Sequence, residues 1–142
     1  MSIKYKSSRS VKEAAFLHAG LQAYNAEHCA YFAMSHPREK KFGFYAYDSE
    51  TKIGGICGPI DPEKWVFITE LYITDEYRGR NIGTELIRMA ENFAKKNQCD
   101  GIKTETWDFQ AKGFYEKMGF SVFGTLPDHP VGAIDYFLKK KL

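Results

Sequence analysis

Arg78-Gly79-Arg80-Asn81-Ile82-Gly83-Thr84 is the stretch on which the reading of this chain turns. Before it, Trp65 to Ile73 is apolar almost throughout, as expected of a strand buried on both faces, with Thr69 and Glu70 as interruptions. After it, Ile82 to Lys96 places Ile82, Leu86, Ile87, Ala90, Phe93 and Ala94 on one helical stripe and turns Glu85, Arg88, Glu91, Asn92, Lys95 and Lys96 outward. The segment is therefore a strand, a glycine-containing turn and a helix. The first amides of a helix have no intrahelical acceptor, and the macrodipole makes that end partly positive. A turn that aims consecutive amides into one concavity is suited to phosphate oxygens. Gly79 and Gly83 allow close backbone approach, Asn81 tolerates left-handed dihedrals, and Arg78 and Arg80 add charge. No Lys follows Gly83, which excludes the nucleoside-triphosphatase loop, and the dinucleotide spacing GxGxxG is absent. Read from the residues alone, an anion-binding turn and a plain well-capped turn both fit.

Outward from this segment the chain alternates strands and helices. Ile3 to Lys6 is expected as a short first strand. Ser10-Val11-Lys12-Glu13 has the spacing of a capping box, opening a helix to about Tyr24 with Val11, Ala14, Ala15, His18 and Leu21 on one face. Lys41 to Tyr47 and Lys52 to Ile60 form a hairpin around Asp48-Ser49-Glu50-Thr51. Gly54 and Gly55 in its second arm suggest a bulge or a close backbone approach. Gly101 to Thr106 is a strand, Gln110 to Met118 a short helix stopped by Gly119, and Phe120 to Thr125 and Ala133 to Lys139 are two closing strands. The expectation is one α/β domain over residues 1–142, a mixed central sheet of six to seven strands flanked by helices.

Composition narrows the function. A chain of 142 residues can bury a real core. A net charge of +2 is too small to argue for nucleic acid, and Lys139, Lys140 and Lys141 are expected as a solvated basic tail. Three cysteines at long spacing (Cys29, Cys57, Cys99) indicate neither a disulfide framework nor a metal site and suit reduced thiols in the cytoplasm. The segment MSIKYKSSRS has no apolar signal core, and no apolar run approaches the length of a membrane span, so neither export nor a membrane is expected.

With the spacing Arg78, Asn81, Gly83, the turn resembles the Arg/Gln-x-x-Gly-x-Gly/Ala signature of the GNAT superfamily of N-acetyltransferases, asparagine standing for the middle glycine. A second run, Asp108, Ala111, Phe114, Tyr115, Lys117, Gly119 and Phe120, is similar to the family's Asn-x-x-Ala-x-x-Leu-Tyr-x-Lys-x-Gly-Phe, with Asp108 where Asn is usual. The resemblance is specific from Trp65 to Phe120, and the ending from Phe120 to Leu138 is similar to small bacterial members. It implies acetyl-CoA as cosubstrate, with no metal. The pantetheine arm would lie between splayed fourth and fifth strands, along Leu71, Tyr72 and Ile73. The pyrophosphate would rest on Arg78, Gly79, Arg80, Asn81, Ile82, Gly83 and Thr84. Asp108, Ala111 and Phe114 would complete the cofactor side.

Acetyl transfer to an amine needs a neutral nucleophile, although an alkylamine has a pKa of about 10.4. Glu70, a carboxylate in an apolar strand, is the candidate base or water relay. The Leu71 amide is the candidate oxyanion donor by resemblance, and Tyr115 the candidate acid toward the thiolate. Glu27, His28, His36, Trp107, Asp108 and His129 are possible acceptor contacts, each equally readable as packing or surface. The expected acceptor is a small primary amine, acetylated by direct attack in a ternary complex. A protein or peptide amine, or binding of acyl-CoA without turnover, are the alternatives, and the closing strands make a homodimer plausible.

Overall fold

A computed structural model describes residues 2–34 and 40–142. The chain divides into two compact units, Met1–Pro37 and Arg38–Leu142. In the first, α1 spans Val11–His28 and α2 spans Ala30–Ala33. The Ser10 hydroxyl caps α1 by accepting from the Lys12 amide, but the reciprocal half of the box is not made: the Ser10 amide donates to the Ser8 hydroxyl at 3.0 Å instead of to Glu13. Helix α1 passes the expected end at Tyr24 because the Cys29 amide still bonds the Asn25 carbonyl and the His28 ring stacks on Tyr24 at 4.0 Å. Residues Ile3 to Lys6 form no strand; they are exposed, have no ladder partner and leave their backbone to solvent.

The second unit holds β1 (Lys40–Asp48), β2 (Thr51–Ile60), β3 (Trp65–Ile68), β4 (Glu70–Ile73), α3 (Ile82–Lys96), β5 (Gly101–Trp107), α4 (Lys112–Lys117), β6 (Ser121–Pro127) and β7 (Ile134–Lys141). The seven strands make one mixed sheet in the order β1-β2-β3-β5-β7-β6, with β4 pairing β2 off that path. Among the described residues, only β3–β5 is parallel. The expected architecture is thus present, with three differences that bear on the site.

First, Trp65 to Ile73 is two strands. Between the pairs Cys57–Glu70 and Ile60–Val66, β2 advances three residues and its partner four, so the extra residue bulges at Thr69. Gly58 makes this possible: a Cβ there would fall 1.8 Å from the Phe67 carbonyl oxygen. Burial along β3 alternates between half-buried and buried, in place of the double-sided burial expected. The close approach anticipated at Gly54 is also present, since a Cβ there would meet the Tyr72 carbonyl oxygen at 2.6 Å.

Second, the helix expected from Gln110 begins only at Lys112, because Gln110 is used in the preceding turn, where its side-chain oxygen accepts from the Trp107 amide at 2.9 Å. Third, the basic run is not a solvated tail. Lys139, Lys140 and Lys141 are rungs of β7 opposite β5, and Lys140 pairs with Glu91 of α3 and donates to the Met118 carbonyl at 2.8 Å.

The core lies where α3 meets the sheet. Leu86, Ile87, Ala90 and Ala94 pack with Phe42, Ile56, Val66, Ile68, Ile102 and Leu138. Burial of each large aliphatic side chain contributes about 1.5–3 kcal/mol, so this face fixes where α3 starts relative to the sheet.

Candidate active site

The bulge opens a fork in the sheet. The parallel β3–β5 ladder ends at Ile68–Thr104; beyond it β4 turns to β2 while β5 continues beside β7. The Thr74 amide donates to the Ile53 carbonyl at 2.9 Å, and antiparallel alternation then directs the Leu71 and Ile73 backbone groups away from β2, into the fork. A cleft of about 1290 Å³ occupies this gap, lined among others by Glu70, Leu71, Tyr72 and Ile73 on one side and Thr104, Glu105, Thr106 and Trp107 on the other.

One end of the cleft is the turn before α3. Gly79 (φ 73°) and Asn81 (φ 62°) are both left-handed, and open space surrounds the Gly79 Cα. Asn81 is the N-cap but its side chain caps nothing. The Glu85 amide bonds the Asn81 carbonyl at 3.1 Å, which leaves the amides of Ile82, Gly83 and Thr84 with no acceptor inside the helix. Arg78 also lines this end. Its guanidinium donates to the Ile73 carbonyl at 3.0 Å and pairs with Asp75 at 2.9 Å. Arg80 is turned off the cleft, its guanidinium 4.9 Å from the centre of the Tyr77 ring, whose hydroxyl donates to Asp48.

The opposite wall carries Ala111, Phe114, Tyr115 and Lys117. The Thr106 hydroxyl accepts from the Ala111 amide at 3.2 Å, which sets the start of α4, and Gly119 at φ 91° stops it. Tyr115 is buried edge-on against Phe114 and Phe120. Thr104 stands beside it, and the Thr104 hydroxyl donates to the Ile68 carbonyl at 3.0 Å, so the phenol sits at the root of the fork. Burial pushes the Tyr115 phenol above its usual 10, and the hydrogen bond with Thr104 opposes that rise. The phenol is therefore protonated at neutral pH. Asp108 does not line the cleft; it is exposed, and its amide donates to the Ile134 carbonyl at 2.9 Å.

The remaining end is acidic and aromatic. Glu70 is exposed, and Glu105 projects from β5 one residue past the last rung. Asp135 of β7 faces Trp107 across the ladder and is only 3% exposed. Its carboxylate meets the His129 Nδ1 at 3.1 Å, and the Trp107 indole donates to the His129 carbonyl at 2.7 Å. Trp107 and His129 were separate candidates in the sequence; Asp135 joins them. The sequence reading passed over Asp135, although its signal was the one that singled out Glu70, a lone carboxylate in an apolar strand. Glu27 and His28 belong to the N-terminal unit, where the His28 ring bonds the Tyr24 carbonyl at 2.8 Å. His36 lies outside the described residues.

Comparison with known proteins agrees with this fold. The sequence profile of the acetyltransferase (GNAT) family matches residues 8–120. A blasticidin-S acetyltransferase from Streptomyces morookaense is 37% identical over 90 residues, which span 63% of this chain and 65% of that protein. An acetyltransferase from Bacillus cereus ATCC 14579 shares the fold with a TM-score of 0.82 at 23% identity, covering 98% of each chain. A PaiA N-acetyltransferase from Thermoplasma acidophilum, solved in complex with coenzyme A, superposes with a TM-score of 0.60 at 27% identity, over 72% of this chain and 61% of that one. Among the described residues, no helix is long and apolar enough to cross a membrane.

Proposed function

This chain belongs to the acetyltransferase (GNAT) family, and from that premise we propose that it moves an acetyl group from acetyl-CoA to the primary amine of a small molecule, by direct attack in a ternary complex. One observation carries the reading: an uncapped helix start with three unclaimed amides and an unpaired β4 edge line a single cleft. That is a fit for a diphosphate ester followed by an amide-bearing arm. The PaiA relative is described with coenzyme A bound, and the blasticidin-S acetyltransferase is named for a small-molecule acceptor.

Each residue then has a task. The amides of Ile82, Gly83 and Thr84, with Gly79, Asn81 and Arg78 around them, hold the diphosphate. Leu71 and Ile73 pair with the amides of the arm, Tyr72 flanks it, and Ala111 and Phe114 back it. Arg80 and Asp108 stand off the cleft and serve at most its rim. Bound acetyl-CoA supplies the thioester electrophile. Glu70 takes the proton of the acceptor ammonium, directly or through water, which frees the nitrogen lone pair. The Leu71 N–H points where a carbonyl oxygen would gain charge. The Tyr115 hydroxyl gives its proton to the departing thiolate and is reprotonated from solvent. The balance is acetyl to nitrogen, one proton to sulfur and one released. A second copy of the chain is the proposed partner at the outer edge of β6, which among the described residues pairs only with β7. The cytoplasm, where reduced thiols persist, is the proposed location.

The test is thiol release from acetyl-CoA against a set of primary amines. Release that depends on an amine, together with a fall in kcat in Tyr115→Phe and Glu70→Gln at unchanged affinity for coenzyme A, supports the reading. Failure to bind coenzyme A ends it. Binding without any amine-dependent release replaces it with a non-catalytic acyl-CoA module, and release with peptides alone moves the acceptor to a protein.

A further inference from the structure

Among the described residues, the Lys and Arg side chains that line the cleft are those of Arg78 and Lys117. Arg78 is committed to the protein itself: its guanidinium pairs with Asp75 at 2.9 Å and donates to the Ile73 carbonyl at 3.0 Å. Lys117 is exposed and pairs with no carboxylate among the described residues. The neighbouring lysines are engaged elsewhere. Lys112, on the same helix, meets Glu116 at 3.3 Å and the Tyr136 ring at 5.1 Å. Lys140, which donates to the Met118 carbonyl, pairs with Glu91.

The place of Lys117 follows from the packing of α4 on the start of α3. Gly83 abuts the Phe114 ring, where a Cβ would stand 3.2 Å away. Phe114 and Lys117 are three residues apart on α4 and so share a helix face. Lys117 therefore lies one turn beyond that contact, about 4.5 Å further along the helix. It lines the same cleft as Ile82, Gly83 and Thr84, whose amides have no acceptor inside α3. Arg80 does not line the cleft and rests 4.9 Å from the centre of the Tyr77 ring.

Coenzyme A carries two separate anionic groups. One is the diphosphate. The other is a phosphate monoester on the 3′ oxygen of the ribose, with a charge of about −1.5 to −2 at neutral pH. The amides at the start of α3 and Arg78 answer the first. The field of a helix end falls off within its first turn, so these amides do not also serve a phosphate one sugar away. A lysine suits that second group, because a point charge on a flexible stem can follow a phosphate without a fixed two-pronged geometry.

We propose that Lys117 holds the 3′-phosphate of coenzyme A and so makes the protein prefer coenzyme A to its 3′-dephospho form. This rests on the coenzyme A reading above and names the residue that recognises the nucleoside end of the cofactor.

Calorimetric titration with coenzyme A and with 3′-dephospho-coenzyme A reads the contact without turnover. Wild type is expected to bind coenzyme A about tenfold more tightly at low salt, equivalent to ~1.4 kcal/mol. That ratio shrinks as salt rises, because the ammonium is exposed and screened. Lys117→Gln is expected to lower it to about threefold or less by weakening coenzyme A alone, and Lys117→Arg to retain it. A merely structural role would weaken both ligands alike and overturns the inference. So does a wild-type ratio near one, or a ratio that survives Lys117→Gln and is lost in Arg80→Gln; in each of these cases coenzyme A still binds and the acetyltransferase reading stands. Failure to bind either ligand ends that reading and the inference with it.

Discussion

The Thr104 hydroxyl donates to the Ile68 carbonyl at 3.0 Å, on the last rung that β3 and β5 share. Past this bond the two strands part. The same threonine stands beside Tyr115, so one side chain links the root of the fork to the candidate acid.

Thr104→Val keeps the shape and removes the hydrogen bond to the Ile68 carbonyl. The expected loss of stability is about 1–3 kcal/mol, because the Ile68 carbonyl loses its side-chain partner in a buried setting. Urea denaturation gives the stability, and a lower kcat at unchanged coenzyme A affinity shows that the phenol has lost its aim. A variant as stable and active as wild type refutes the tie.

Gly83 lies against the Phe114 ring, where a Cβ would come within 3.2 Å of the ring. Gly83→Ala therefore forces the helix start or the ring to shift by a few tenths of an ångström. Coenzyme A affinity is expected to fall about tenfold, with only a small change in thermal midpoint. Gly79→Ala acts differently. Nothing lies near its Cβ, but φ 73° costs about 1 kcal/mol in backbone strain, so stability moves more than contact does. Isothermal titration and thermal melts on both variants separate the two effects.

In its proposed role Tyr115 acts as an acid only while protonated. Burial raises its pKa above 10, so loss of its proton restricts activity only above that value, and Tyr115→Phe is expected to lower kcat roughly 100-fold across pH 6–9. The linkage to stability has the same sign. The unfolded phenol ionises near 10 and the folded one later, so the contribution is complete below pH 10 and is lost as pH rises through the folded value. Denaturation midpoints from pH 8 to 11 should fall more steeply for wild type than for Tyr115→Phe.

Lys140 and Glu91 pair in a partly buried setting, at 27% and 17% side-chain exposure. Glu91→Gln weakens a charged hydrogen bond and leaves the ammonium with the Met118 carbonyl, for an expected cost of about 1–3 kcal/mol. The free-energy change from denaturant unfolding checks this; a neutral result would make the pair ornamental to the β7–α3 contact.

The sequence alone determined what depends on neighbours along the chain. Helix α3 was legible to its ends, because a 3.6-residue apolar stripe is a local property of Ile82 to Lys96. So was the left-handed turn at Asn81, since dihedral tolerance belongs to the residue type. Tertiary structure decided the rest. The break at Thr69 arises from Gly58 on another strand, whose missing Cβ lets the Phe67 carbonyl press in. The lysine run became β7 because β5 supplied the ladder and Glu91 the counter-charge. Asp135, Trp107 and His129 meet only because β5 and β7 are adjacent. Propensity and pattern act over a few residues; pairing partners and buried charge are set by chain segments far apart in sequence, and it is these that shape the acidic end of the cleft.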